Sequence, residues 1–296
     1  MPAERPPICD YEGSDYQTAF WEEGGREYED QVEAVALRRL LPPSGKLLLE
    51  VGAGAGRNTP RYNGFEHVVL VDYSRTQLQQ AQERLGASDR YTYVAANAYH
   101  LPFEPGLFDA ATMIRTLHHM ADPAAAIYQI RQALQPGAVF ILEFANKRNL
   151  KAILRYVLRR QSWSPFTPQA VEFAKLNFDF HPRQLRAWLR ENRFEVERQL
   201  TVSHFRMQPL KRLVPVKILV AMDSLAQWTG DLWQLSPSVF VRSRATGDSP
   251  SAQPGRFFCC PVCGHAPLDN QSHGLTCPNC TREWRLEAGI YDFRVD

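Results

Sequence analysis

The sequence predicts an α/β protein: a seven-stranded, mostly parallel sheet with helices on both faces, followed by a small C-terminal ribbon built on cysteines. Three observations carry this expectation. Apolar runs of strand length alternate with helical stretches between Lys46 and Phe144, the pattern of a parallel sheet buried on both faces. A glycine-rich turn, Gly52-Ala53-Gly54-Ala55-Gly56, follows the first of those runs. Five of the six cysteines fall in the last forty residues, four of them as two Cys-x-x-Cys pairs.

In chain order, 27–41 reads as a helix with Val32, Val35, Ala36, Leu40 and Leu41 near one face, ended by Pro42-Pro43-Ser44-Gly45. Strands are expected at 46–51, 67–72, 91–96, 108–114 and 138–144. Between them, 74–85 is a helix capped by Ser74, and 123–134 a helix capped by Asp122 with proline at its first position. Residues 149–160 and 182–192 are two more helices, and 194–203 and 238–243 complete the seven strands. The domain plan is a 1–26 N-terminal segment, a 27–244 main domain with a 205–236 insertion, a 245–255 linker and a 256–296 ribbon. The linker (ATGDSPSAQPG) is flexible by composition.

The 296 residues are 44% hydrophobic and 22% charged, with net charge +2, which argues against a generally basic nucleic-acid binder. There is no apolar run of membrane-spanning length, and Met1–Asp10 lacks the apolar centre of a signal peptide, so a cytoplasmic protein is expected.

The glycine turn allows a sharp bend and a close backbone approach to a ligand. Its Gly-x-Gly-x-Gly spacing differs from the dinucleotide fingerprint, and no Gly-Lys-Ser/Thr follows, so a phosphate loop is excluded. Glu50 precedes the glycines, and Asp72 ends the next strand, where a carboxylate can take both hydroxyls of a ribose.

Leu48–Gly56 (LLEVGAGAG) and Val69–Tyr73 (VLVDY) resemble the first two motifs of Rossmann-like class I S-adenosylmethionine-dependent methyltransferases. Ala96-Asn97-Ala98, Leu101-Pro102-Phe103 and Phe108-Asp109 resemble that family's adenine loop and fourth strand. Leu117-His118-His119 and Leu134-Gln135-Pro136-Gly137 are similar to the type 11 subgroup. The resemblance is close over 27–144 and looser to Arg244. It implies S-adenosylmethionine as cofactor. Gly52, Gly54 and Gly56 would pass its methionine part, Glu50 would fix the turn or meet the amino group, and Asp72 would bind the ribose. Asn97, with Ala98, would meet the adenine. The family usually has aspartate at that position, and the asparagine carbonyl remains an acceptor; a plain turn residue is the other reading.

Cys260-Pro-Val-Cys263 and Cys277-Pro-Asn-Cys280 stand thirteen residues apart, as two knuckles that complete a tetrahedral Zn²⁺ site. Four protein ligands leave no open position, so the zinc is expected to be structural; Cys259 reads as a free buried thiol. The tail Trp284–Phe293 resembles zinc ribbons fused or bound to methyltransferases, including the small activator subunit.

Methyl transfer from a sulfonium needs alignment first and a base only for a protonated acceptor. The catalytic residues are not identified by sequence. His100, His118, His119 and His181 are candidate bases, with a packing role expected for His118 and His119, and Arg115 is expected in a solvated ion pair. Tyr16–Asp30 reads equally as a lid or as a staple for the first helix. Lys147–Arg160 is basic and amphipathic. It is expected to dock its apolar face on the sheet, with a membrane surface or phosphates as the alternative. Phe205, Met207, Leu210, Leu219, Met222, Leu225 and Trp228 are expected to build a large apolar acceptor pocket. The leading reading is a methyltransferase acting on a small or lipid-like acceptor. An RNA or protein methyltransferase recruited through the ribbon, or a non-catalytic cofactor-binding subunit, stands behind it.

Overall fold

The computed structural model describes residues 6–14, 21, 23–248 and 251–295. Helix α1 (Glu27–Leu40) leads into β1 (Gly45–Val51), β2 (Phe65–Asp72), α2 (Arg75–Leu85), β3 (Tyr91–Ala95) and β4 (Phe108–Met113). Helix α3 (Pro123–Ala133) and strand β5 (Leu134–Ala145) follow. Ser74 caps α2, its side chain accepting from the Gln77 N–H, and Asp122 caps α3 by accepting from Ala125 N–H, as expected. Next come α4 (Leu150–Val157), a hairpin of β6 (Val171–Ala174) and β7 (Asn177–Asp179), α5 (Pro182–Glu191) and β8 (Phe194–Val202). Helices α6 (Gln208–Leu213) and α7 (Val216–Ala226) precede β9 (Ser238–Ala245). The C-terminal ribbon adds β10 (Asp269–Gln271), β11 (Gly274–Thr276), β12 (Glu283–Glu287) and β13 (Ile290–Asp292).

The main sheet runs β3-β2-β1-β4-β5-β9-β8, with β3 through β5 parallel and β9 and β8 antiparallel. On one face, Ala126, Ile127 and Ile130 of α3 and Leu185 and Leu189 of α5 pack on Leu49, Val71, Met113 and Phe140. On the other, Val32, Ala36 and Leu40 of α1, Leu78 of α2 and Leu219 of α7 pack on Leu48, Leu70 and Phe240. The apolar face of α1 is rotated slightly from the expected one: Tyr28, Leu37 and Glu33 are fully buried, while Val35 and Leu41 are half-buried.

Three expectations change. The sheet has eleven strands, not seven, because β13 pairs in parallel with β3 (Ile290↔Tyr93, Asp292↔Ala95) and carries the other ribbon strands outward. An open edge on β3 would leave backbone N–H and C=O groups unpaired, and the ribbon covers it. Second, α4 does not dock its apolar face: Ala152 is its one buried residue, and Leu154 and Val157 are 52% and 67% exposed. Third, the 205–228 side chains do not line the cavity at the sheet's C-terminal edge. Helix α7 lies across α1, held by Tyr28 donating to Asp223 (2.6 Å) and by Arg39 donating to the Ser224 carbonyl (2.6 Å). Leu219 therefore enters the core, while Met207, Met222, Leu225 and Trp228 face outward.

Candidate active site

At the C-terminal ends of β1, β2 and β4 the chain turns away from the sheet, and a cavity opens there, as in other open α/β sheets. Its floor is the glycine turn. Gly52 has φ +70°, and a Cβ there would lie 2.1 Å from Thr116 Oγ1, so no side chain fits. Gly54 (φ +53°) faces open space, its nearest neighbour being Gln77 Oε1 at 3.8 Å, which leaves a bare backbone toward the cavity. Gly56 does not line the cavity. Its would-be Cβ meets Ala81 at 3.1 Å and Leu85 at 3.3 Å, so this glycine lets α2 approach.

Asp72 stands opposite the turn. Its carboxylate accepts from Gly54 N–H (2.8 Å) and Ser74 N–H (3.0 Å) and lines the cavity. Burial pushes its pKa up, and the backbone N–H bonds work against that shift. A carboxylate held this way, beside a turn without side chains, fits a ligand carrying vicinal hydroxyls and an adjoining chain. Asn97 and Ala98 form the next wall, after β3. The Asn97 side-chain carbonyl accepts from Tyr99 N–H (2.9 Å), an Asx turn, so one of its lone pairs is already engaged. Glu50 lies behind the turn, accepting from Thr59 Oγ1 (2.6 Å) and Tyr62 OH (3.3 Å). Burial raises its pKa to about 7, and it does not reach the cavity; it braces the loop from below.

Part of the remaining wall comes from residues that no sequence pattern singled out. Pro7, Ile8, Cys9 and Tyr11 cross the opening. Glu12 pins this strap to the N-terminus of α2, accepting from Arg75 N–H (2.9 Å) and Thr76 Oγ1 (2.6 Å), where an acid is favourable. Of the expected Tyr16–Asp30 lid, residues 16–20 and 22 lie outside the described residues; Trp21 lines the cavity under the Arg57 guanidinium, 3.6 Å from its ring centroid.

The four histidines separate. His119 lines the cavity; its Nδ1 donates to the Leu176 carbonyl (3.1 Å) at the β6–β7 turn, so its Nε2 lone pair meets the Tyr11 hydroxyl (3.1 Å). Burial lowers its pKa, keeping it neutral near pH 7. His118 lies against it, the ring centroids 4.0 Å apart and the planes tilted by 44°, its pKa driven far down by burial and then by His119, Arg115 and Arg206. Among the described residues, His118 Nδ1 and Arg206 Nε are buried without a hydrogen-bond partner. His181 caps α5, accepting from Arg183 N–H (3.1 Å), and is not near the cavity wall; His100 does not line it either. Arg115 pairs with the fully buried Glu33, which also takes Arg57 (2.8 Å), so the expected solvated pair is a buried one.

In the ribbon, the four thiols of Cys260, Cys263, Cys277 and Cys280 lie within 4.8 Å of one another, with Sγ–Sγ distances of 3.6 Å (Cys260–Cys280) and 3.5 Å (Cys263–Cys277). Bonds of about 2.3 Å at tetrahedral angles put sulfurs about 3.8 Å apart, so the set fits a zinc ion. Cys259 turns away, donating to the Phe103 carbonyl (3.1 Å).

Residues 49–142 match the Methyltransf_11 family model, described as a methyltransferase domain. The chain is 28% identical over 162 residues to a demethylmenaquinone methyltransferase of Clavibacter sepedonicus, covering 54% of this chain and 66% of that one. It is 29% identical over 145 residues to O-methyltransferase cnsE of Penicillium expansum, covering 46% and 52%. It thus spans between half and two thirds of the length of these curated relatives. A chain in the complex between the Haloferax volcanii Trm112 methyltransferase activator and a methyltransferase superposes with TM-score 0.56 at 14% identity, covering 78% of this chain and 96% of that one. That likeness shows the fold. The segment that matches the methyltransferase-domain model holds the glycine turn, Asp72 and Asn97.

Proposed function

We propose that this chain transfers the methyl group of S-adenosylmethionine to a small, largely apolar acceptor, and that its ribbon holds a structural zinc ion. The observation that carries this is one cavity lined by Gly52, Gly54, Asp72, Asn97 and Ala98 on one side and by Ile8, Tyr11, Trp21, His119 and Met120 on the other. Relatives named for a quinone precursor and for O-methylation support an acceptor of this kind.

When bound, the sulfonium cofactor supplies an activated methyl group. The residues then hold its parts. Asp72 takes the ribose hydroxyls, the bare backbone at Gly52 and Gly54 admits the methionine chain, and Asn97 and Ala98 border the adenine. Glu50 and Gly56 support the loop from behind. Tyr11 and Trp21 close the opening against water. His119 Nε2, with the Tyr11 hydroxyl, stands at the acceptor side as a neutral nitrogen able to receive a proton from an acidic O–H or C–H group. Cys260, Cys263, Cys277 and Cys280 hold the zinc, with no ligand position open for chemistry.

Titration calorimetry with S-adenosylmethionine tests the cofactor assignment. The wild type binds, and Asp72→Ala weakens binding roughly 10- to 100-fold, the size of one lost charged acceptor. A wild type that gives no heat of binding removes the proposal. Transfer of labelled methyl to demethylated quinones and phenols, compared with transfer to RNA and protein, then sorts the acceptor class.

A further inference from the structure

From Asn146 to Ala170 the chain has six basic residues and no acidic one. Asn149 caps α4 by accepting from Ala152 N–H, and the helix then stands with Ala152 against the protein. With 100° between successive residues, Leu150, Leu154 and Val157 fall on one stripe and Lys151 and Arg155 on the stripe beside it, with Leu158, Arg159 and Arg160 following the last turn. Both stripes face solvent: the four aliphatic side chains are half to two thirds exposed, and Lys151, Arg155, Arg159 and Arg160 are exposed with no ion pair among the described residues. Lys147, by contrast, turns inward and donates to the Gln169 carbonyl (2.6 Å), so it fixes the base of the segment.

The apolar surface extends past the helix. Leu150 N–H donates to the Leu235 carbonyl (2.8 Å), which brings the exposed Leu232 and Trp233 alongside. Tyr156 meets the exposed Phe166 with ring centroids 6.1 Å apart.

We infer that α4 and this apolar surround form a docking surface for a bilayer carrying anionic lipid. Charge alone would suit any polyanion. The aliphatic stripe decides between them: a nucleic-acid backbone would leave Leu150, Leu154, Val157 and Leu158 in water, whereas the interfacial zone of a membrane buries such a stripe while its phosphates meet the flanking cations. The surface is also joined to the cavity. The segment that begins with α4 continues into the β6–β7 hairpin, whose turn at Leu176 holds His119 at the cavity wall. Docking therefore acts on the segment whose hairpin turn holds His119.

Sedimentation of the zinc-loaded full chain with vesicles tests this without any methyl transfer, so its outcome is independent of the proposed reaction. Phosphatidylcholine vesicles containing phosphatidylglycerol are bound roughly a hundredfold more tightly than phosphatidylcholine alone, and high salt removes most of that preference. Leu154→Glu and, separately, the pair Lys151→Glu with Arg155→Glu abolish the binding while the melting temperature and S-adenosylmethionine binding stay as in the wild type. A full chain that ignores anionic vesicles overturns the inference. So do variants that bind like the wild type, tighter binding to an RNA oligonucleotide than to the vesicles, or a dimer that Leu154→Glu disperses.

Discussion

The cysteine ribbon and the segment carrying α4 are both additions to one sheet, yet they treat their apolar residues in opposite ways. The ribbon turns its aromatics inward: Phe258 lies 5.8 Å from Phe103, 4.9 Å from Tyr291 and 4.9 Å from Phe293, and Phe257 reaches Phe108 at 6.5 Å. Its backbone is stitched on as well, by Cys259 N–H to the Pro102 carbonyl and Glu104 N–H to the Phe257 carbonyl. Helix α4 keeps one alanine inside and leaves its leucines bare. Apolar side chains that complete a core contribute to stability, and those left in water contribute to contact with something else.

The largest effect expected from this contrast is at the four ribbon thiols and the zinc proposed for them. A strong chelator, or Cys277→Ser, is expected to cost on the order of 5 kcal/mol or unfold the ribbon outright, seen as a split or lowered melting transition in calorimetry. An unchanged melt would mean that the aromatics alone hold the ribbon on. Next in size, Phe258→Ala should destabilise by about 2–4 kcal/mol, while Leu154→Ala stays within about 0.5 kcal/mol in urea melts. Equal losses at the two positions would erase the distinction and show that α4 is covered in solution.

A smaller and more graded effect belongs to neither edge. Burial alone would raise the Glu33 pKa, but Arg115 and Arg57 overcome it and hold the carboxyl at about 2. A depressed carboxylate gives stability that is present above its unfolded value of 4.5 and lost as pH falls from there toward 2. Glu33→Gln should therefore flatten acid melts in that window. If the wild type and Glu33→Gln fall in parallel, thiol protonation at the ribbon governs the acid limb instead.

The glycine-turn side of the cavity was legible because it is built from particular residues at fixed places in sequence: glycines where a Cβ would collide, and a carboxylate at a strand end. Even there, distance from the ligand was not. Gly56 and Glu50 belong to the motif but act through α2 and through Thr59 and Tyr62, which only packing reveals. Tyr11 was invisible as a wall residue, and the segment holding Trp21 read equally as a lid or a staple, because their positions depend on contacts with α2 and Arg57, far along the chain. The acceptor pocket was expected in 205–228 from its apolar content and its place as an insertion between the last two strands. Apolar content does not say which surface a helix will cover, and α1 offered the better partner through Tyr28 and Arg39. The same ambiguity misdirected α4, whose periodicity was right and whose burial was opposite to that expected.

The parallel pairing of β13 with β3 also orders events in time. Ala95 and its partner Asp292 are separated by about two hundred residues, and the loop at Asn97 begins where that pairing ends. Loop closure over such a span is slow, and synthesis delivers β13 long after β3 has emerged. Arg75 reaches Glu287 (3.0 Å) in the ribbon while its N–H holds Glu12 of the strap. The edge of β3 is therefore the last part of the sheet to be paired, and a chain cut short before the ribbon would lack the strand that borders the loop at Asn97.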